Sequence, residues 1–398
     1  MIILVLNAGS STLKASLFRF TTGVASEPPE PLWQALLDWH QGQLAVATAD
    51  WQCQEVLKSS DRPQALQQLL ASLNQGETAV LDDLSQIEAV GHRVVHGGEQ
   101  YQQPTRITAA VKRAIARLSD LAPAHNPANL EGIELAQARL GPEVPQFAVF
   151  DTAFHSQMPQ AASTYGGPAA WLDKGWRRYG FHGISHQYCA ERLAHLCDRP
   201  LSELQLITCH LGNGCSLSAI RDGHSVDTSM GFTPLEGLVM GTRSGSIDPG
   251  LLLHLLRYEG QTPEELDQTL NRQSGLLGLS GVSADMRQIR AAIEAGNAQA
   301  QLALEVFIHR LRQGIGMMLA NLDRLDALVF TAGIGENNPL IWQRACEPLG
   351  NLRLTLQPTL ERSPQDQCIS QPRHTPSVWV IHTREEWAIA RQCWQLLC

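Results

Sequence analysis

Five polar side chains stand in glycine- and proline-rich surroundings: Arg93 in GHRVVHGG, His125 in LAPAHNP, Asp151 in VFDTAFH, His182 in YGFHGISH and Arg243 in MGTRSGSIDPG. Two guanidinium groups, two imidazoles and a carboxylate are tools for handling anions, because arginine forks match the planar oxygen pairs of carboxylates and phosphates. A second set of residues offers places to hold a phosphate. Three glycine-bearing turns each follow an apolar run directly: IILVLNAGSST (2–12), LITCHLGNGCS (206–216) and ALVFTAGIGEN (327–337). A strand ending in Gly plus Asn or Ser lets backbone N–H groups approach a ligand closely, which suits phosphate oxygens. One such turn is commonplace in α/β proteins. Three of them, spread over most of the chain, point to a nucleotide held from several sides.

The better-known phosphate signatures are missing. No G-x-x-x-x-G-K-[ST] occurs, and Gly333-Ile334-Gly335 begins like a dinucleotide fingerprint but has Asn338 in place of its third glycine, with no acidic ribose ligand at the usual distance. A Rossmann dehydrogenase is therefore disfavoured. Taken singly, the cationic and imidazole residues have duller readings: a lone Arg is most often a surface group or a structural ion pair, and a lone His a hydrogen-bonded core residue. Asp151 is better placed, because it ends the apolar run QFAVF and strand ends commonly carry site residues. Glu385 by itself reads as a first-turn helix glutamate.

The elements that must position these residues are legible in outline. After its turn the first strand continues as the alternating KASLFRF, which predicts a β-hairpin over 2–20. The segment 206–221 is built alike, and LNAGSSTLKASLF set beside CHLGNGCSLSAI suggests an internal duplication with a period near two hundred residues. Two related halves, each with a phosphate-facing hairpin, imply two lobes around a cleft. Helix punctuation is good elsewhere. Pro127 opens a helix before ANLEGIELAQARL, Ser185 is a candidate cap for HQYCAERLAHL, and Thr262-Pro263-Glu264-Glu265 has capping-box spacing. A long buried helix is expected over 301–325 and an amphipathic one over EEWAIARQCWQLL at the C-terminal end. The segment 21–81 carries no readable motif and is expected to be a peripheral elaboration of the first lobe.

Composition narrows the classes of function. With 398 residues the chain has room for two domains, and 43% apolar with 17% charged residues is ordinary for a globular protein. The formal charge of −9, without a basic block, argues against a nucleic-acid partner. No apolar run approaches the roughly 18 residues of a membrane span. The opening MIILVLNAGSS runs straight into a motif without a charged leader, so a cytoplasmic protein is expected. Nine cysteines without any C-x-x-C fit reduced thiols, and Cys209 and Cys215 read as core packing.

NAGSSTLK, GHRVVHGG, FDTAFH, YGFHGISH, HLGNG, TSMGFTPLEGL, MGTRSGSIDPG, DMR, GIGEN and a terminal T-x-E-E, in that order, together resemble the acetate kinase (acetokinase) family from Asn7 to about Ala390. The resemblance implies a two-lobed α/β fold of the acetate and sugar kinase/actin-like ATPase type, with a duplicated ribonuclease-H-like core. It implies lobes of 1–151 plus 388–398 and of 152–387, the second carrying most nucleotide motifs and a homodimer interface. It also implies ATP and acetate as substrates, acetyl phosphate and ADP as products, and Mg²⁺ or Mn²⁺ as cofactor. Carried over motif by motif, Asn7 and Glu385 match the metal-site residues and Lys14 an ATP-contacting position. His210, Leu211, Gly212, Asn213 and Gly214 match the phosphate loop. Asp285, Met286 and Arg287, with Gly333, Ile334, Gly335, Glu336 and Asn337, match the adenosine and ribose side. Arg93 matches a substrate-carboxylate ligand and His125 a further substrate-site position. His182 and Arg243 match transition-state stabilisers, Asp151 the acidic catalytic position, and Val95, Phe181 and Pro234 the pocket for the substrate methyl group.

The chemistry agrees with that reading. A carboxylic acid is ionised at pH 7, so the nucleophile needs no general base. Asp151 then reads as an orienting partner for one of the arginines more than as a proton acceptor. The chain departs from the family twice. Ala124 stands where Leu is usual before the histidine of L-A-P-L-H-N-P, which should enlarge the methyl pocket and weaken discrimination against propionate. Arg384 stands where Asn is usual in T-N-E-E. The nearest alternative is a propionate or broader short-chain acyl kinase. A non-catalytic ATP-binding module would have no need of Arg93, His182 and Arg243, and a sugar kinase would want a general-base Asp and several sugar ligands.

Overall fold

The computed structural model describes residues 1–9, 12–21, 27–39, 41–59, 61–347, 354–372 and 376–398; Ser10 and Ser11 of the first glycine turn lie outside the described residues. The chain divides into two compact units, Met1–Ala153 with Arg384–Cys398, and Phe154–Thr383. The boundary before the last helix thus falls at 383/384 instead of the expected 387/388, because Glu385–Leu397 is one unbroken helix packed on the first unit's sheet.

The first unit holds β1 (Ile2–Ala8), β2 (Thr12–Arg19), β3 (Trp33–Asp38), β4 (Gln43–Thr48), β5 (Gln52–Val56), β6 (Ala89–Val94), β7 (Thr105–Arg106) and β8 (Gln146–Phe150) in one sheet of order β5-β4-β3-β2-β1-β6-β8-β7. From β1 to β5 each strand pairs antiparallel with the next, while β1, β6 and β8 run parallel. The segment 21–81 is therefore no peripheral elaboration. Its strands alternate with period two, so that Trp33, Leu37, Leu44 and Val46 are fully buried in the unit's main core. The alternation in WQALLD and QLAVAT was the available signal.

Helices cover both faces of this sheet. Gly132 of the helix Asn126–Leu140 approaches Ala8 so closely that a Cβ would stand 2.9 Å from that methyl. On the other face, Gly91 makes room for the C-terminal helix, since a Cβ there would lie 2.7 Å from Ile389 Cγ2 and 2.8 Å from Cys393 Sγ. Phe20 stacks on Trp387 with 5.1 Å between ring centroids, fastening the same helix to β2's end.

The second unit holds β9 (Leu206–Leu211), β10 (Cys215–Arg221), β11 (His224–Thr228), β12 (Ala327–Thr331), β13 (Gln367–Cys368) and β14 (Ser377–Val380), in the order β11-β10-β9-β12-β14-β13. Here too the first three strands are antiparallel and the next two parallel. The five-strand cores β3-β2-β1-β6-β8 and β11-β10-β9-β12-β14 share order and direction, which is the duplication glimpsed in the two hairpins.

Two helices differ from their expected form. The long helix spans Ala298–Leu319. It starts early because Asn297 Oδ1 accepts from Ala300 N at 3.0 Å, and it stops early where Asn321 and Asp323 form a turn into β12. Ser185 caps nothing. The helix Gly183–Leu196 begins after His182, and Ser185 lies inside it with its hydroxyl turned to side chains. The capping box at Thr262 forms as read.

Candidate active site

Strand register collects the first unit's polar residues at one edge. Asn7 pairs with Lys14 across the β1–β2 hairpin, and Leu6 pairs with His92, which brings Asn7 beside Arg93 on the same face. Asp151 follows β8 directly, its N–H donating to Val94 O at 3.0 Å. All lie where the parallel strands end, the edge at which open α/β sheets carry ligands. The Arg93 guanidinium donates from Nε to Asp151 Oδ1 and Oδ2 at 3.1 and 3.0 Å, and from Nη2 to Oδ2 at 2.6 Å. One further donor, Nη1, reaches Asn7 Oδ1 at 3.3 Å. Asp151 is 1% exposed and the Arg93 side chain 20%, so the carboxylate is sunk and the arginine above it half-buried.

Glu385 opens the C-terminal helix beside this group. Burial pushes its carboxyl up to about 7, against the pull of Arg93, and Asp151 and Glu386 add to the rise. Val95 is buried, with its N–H donating to Asn129 Oδ1 at 3.0 Å, while Asn129 Nδ2 donates to Ala8 O at 2.6 Å. Asn126 holds the next residue from both sides, accepting from His96 N and donating to His96 O, each at 3.1 Å. His125 stands half-buried just before that helix, and Ala124 is exposed. Sequence reasoning passed over both asparagines, although N-P-A-N spaces them three apart, one helical turn, on a single face.

In the second unit His182 has left-handed backbone angles (φ 57°, ψ 24°), costly for a residue with a Cβ. The carbonyl before it is pinned: His155 Nε2 lies 3.0 Å from Phe181 O, and His155 Nδ1 lies 2.7 Å from Ser225 Oγ. Burial lowers His155 to about 4, so it serves here as a neutral brace. Gly180 (φ +79°) fits against that ring, where a Cβ would stand 2.7 Å from His155 Cδ2. His182 stacks on His210 with centroids 4.1 Å apart, and His210 Nδ1 bonds Ser185 Oγ at 2.8 Å. The HLGNG turn meets both expected stabilisers at Gly214, where a Cβ would stand 3.2 Å from His182 Nε2 and 3.4 Å from Arg243 Nη1. Arg243 Nη1 also donates to Pro234 O at 3.0 Å.

A cavity of about 980 Å³ opens beside this turn, in the size range of cofactor sites. Gly212 and Asn213 line it together with Asp285, Met286 and Arg287 and with Gly333, Ile334 and Asn337. Three stretches far apart in sequence thus border one space. Arg290 and Arg362 line it too, and no motif had marked them. Asp285 and Arg287 are locked as a bidentate pair, Nη2 to Oδ2 at 2.6 Å.

A family model described as the Acetokinase family matches residues 2–391. The chain belongs to the acetokinase family. The acetate kinase of Gloeobacter violaceus is 55% identical over 100% of both sequences. Among solved structures, the acetate kinase of Porphyromonas gingivalis has a TM-score of 0.90 at 34% identity, covering 100% of both chains. The propionate kinase of Francisella tularensis has a TM-score of 0.89 at 37% identity, covering 98% of each.

Some residues carried over from the acetokinase motifs sit where their side chains do other work. Glu336 turns inward, its Oε1 accepting from Ala332 N at 2.8 Å and Thr383 N at 2.9 Å. It thereby ties together two strand ends, one of which has Ala332 at φ 64°. Leu211 and Phe181 are buried at 0% and 1% exposure, so Leu211 can offer a ligand only its backbone. Lys14 stands exposed on β2, opposite Asn7.

Proposed function

We infer that the chain catalyses reversible transfer of the ATP γ-phosphoryl group to acetate, giving acetyl phosphate and ADP, with acetate ionised and attacking directly. Arg93 receives the acetate carboxylate on the guanidinium edge that Asp151 leaves outward. Asp151 has both oxygens occupied by Arg93 and acts as its anchor, not as a base. His182 and Arg243 stabilise charge on the transferring group, and the Gly212–Asn213–Gly214 backbone carries the phosphates. Adenosine lies in the 980 Å³ cavity, with His210 stacked behind His182 as support. The observation that carries this reading is the meeting of His182 and Arg243 at Gly214, on the rim of a cavity bordered by three separate glycine- or aspartate-bearing motifs.

Asn7 and Glu385 would hold Mg²⁺, or Mn²⁺. The donors fit, being hard oxygens, and the half-buried Glu385 carboxyl is held high by burial with Asp151 and Glu386 nearby, so a divalent cation there would relieve carboxylate repulsion. Among the described residues no group of three or more His, Cys, Asp or Glu could hold a metal. Magnesium commonly takes one or two protein oxygens and completes its sphere with phosphate and water. When bound, it supplies charge neutralisation at the phosphate oxygens.

A homodimer is supported by the helix Pro249–Tyr258, which buries no residue although it reads PGLLLHLLRY, leaving Leu251 48% and Tyr258 74% exposed. A cytoplasmic location fits the use of ATP as phosphoryl donor. A second reading, use of propionate, is favoured by Ala124, which presents a methyl where a family leucine would fill space. Hydroxylamine trapping with Mg-ATP and acetate, propionate, butyrate or glycerol tests both. Hydroxamate from acetate is expected, and its absence with a folded, ATP-binding protein overturns the reading.

A further inference from the structure

We propose that Thr208, His186 and Ser216 form a one-way chain of hydrogen bonds that fixes His182 as the tautomer with its hydrogen on Nε2. The proposal rests on the reading of His182 as a phosphoryl-stabilising group, but its geometry stands independently. His186 Nδ1 lies 2.6 Å from Thr208 Oγ1, and His186 Nε2 lies 2.7 Å from Ser216 Oγ. Ser216 Oγ lies 2.9 Å from His182 Nδ1. Thr208, His186 and Ser216 are each 0% exposed, so every hydroxyl and ring hydrogen among them must be used within the protein.

Counting hydrogens then sets the direction. Among the described residues the Thr208 hydroxyl bonds only His186, so its single hydrogen goes to His186 Nδ1. Burial, with His155 and His210 nearby, holds His186 well below its usual range. It is therefore neutral and carries its one hydrogen on Nε2. That hydrogen is donated to Ser216 Oγ, and the Ser216 hydroxyl, whose only described partners are the two rings, donates onward to His182 Nδ1. His182 Nδ1 is thus an acceptor, and its Nε2–H points toward Gly214, next to Arg243. Around His182 stand the stacked His210 ring, the Ser216 hydroxyl and, across Gly214, Arg243. A neutral donor in this place offers a phosphoryl oxygen a hydrogen bond without setting a second cation against the guanidinium. Ser216 and His186 are positioning residues in this scheme, and the left-handed backbone of His182 is what turns its ring onto Ser216.

The test is nitrogen NMR of the full-length protein labelled with ¹⁵N-histidine, His182 being assigned by loss of its signals in His182→Gln. A pyridine-type Nδ1 and pyrrole-type Nε2 are expected for His182, and the reverse pattern overturns the chain. In Ser216→Ala the His182 signals should move to a mixture of tautomers, with kcat lowered about 10- to 100-fold and KM for Mg-ATP within about twofold. Ser216→Thr should restore both. Unchanged signals in a folded Ser216→Ala protein refute the proposal. Should Ser216→Ala fail to fold, the wild-type spectrum and Thr208→Val, which frees the far end of the chain, still decide it. Full activity in His182→Gln would instead sink the catalytic reading while leaving the tautomer assignment standing.

Discussion

Asp151→Asn separates an anchoring carboxylate from a catalytic base. In the structure both Asp151 oxygens are engaged by Arg93, through three contacts of 3.1, 3.0 and 2.6 Å, in a place 1% exposed. Asparagine keeps one acceptor but sets an NH₂ against guanidinium hydrogens, so at least one charge-assisted bond is lost. Such a bond contributes about 1.5–3 kcal/mol, which corresponds to about 10- to 150-fold in kcat/KM. Because Arg93 is the group left unanchored, the loss should fall mainly on KM for acetate, with KM for ATP nearly unchanged. The shape of the pH dependence should stay that of the wild type, since an ionised acetate surrenders no proton. Hydroxamate trapping over an acetate series, repeated from pH 6 to pH 9, reads both quantities. A variant whose acetate KM is normal, but whose turnover has collapsed and recovers with rising pH, would show that Asp151 takes a proton and that the anchoring argument is wrong.

Three more outcomes follow from the same structure. Gly91→Ala places a Cβ within 2.8 Å of Cys393 Sγ and closer still to Ile389, and overpacking of this kind costs about 1–3 kcal/mol. Thermal melts should show a lower midpoint that Ile389→Ala partly restores, and an undiminished midpoint contradicts the packing. His92, His96 and His155 are each lowered by burial to about 4, while in the unfolded chain they keep their ordinary value. Their contribution is therefore fully present above the unfolded value and drains away as pH falls toward 4, by about 1.4 kcal/mol per histidine at pH 5.5. Melts between pH 7.5 and 5 should show this slope, His92→Gln should flatten it, and a level profile refutes it. Ala124→Leu should raise the preference for acetate over propionate by about 5- to 150-fold, because one methylene is worth about 1–3 kcal/mol in such pockets; an unchanged ratio rejects the role of Ala124.

Local patterns already carried much of this protein. Apolar runs broken by Gly-Asn or Gly-Ser turns established the hairpins β1–β2 and β9–β10, since a period-two pattern and a glycine turn restrict the chain over a few residues only. The Thr262 capping box and the C-terminal helix were legible for the same reason, each depending on neighbours three or four positions apart. The strands within 21–81 are too short to declare themselves in sequence, and only pairing to β2 gives WQALLD a buried face. Likewise Ser185 looks like a cap until its hydroxyl is seen between His210 and Thr383.

The types of residue that handle anions were fixed by sequence alone: Arg93, Asp151, His182, Arg243 and the glycine turns are marked by composition around them. Which of these touch was decided by tertiary structure. Parallel pairing of β6 and β8 is what sets Arg93 onto Asp151, 58 residues away. The β9–β10 hairpin puts Ser216 between His182, which stands just before a helix some thirty residues earlier, and His186 inside it. Such contacts depend on register and on the direction of a side chain across a sheet, and neither is written in any stretch short enough to be read locally.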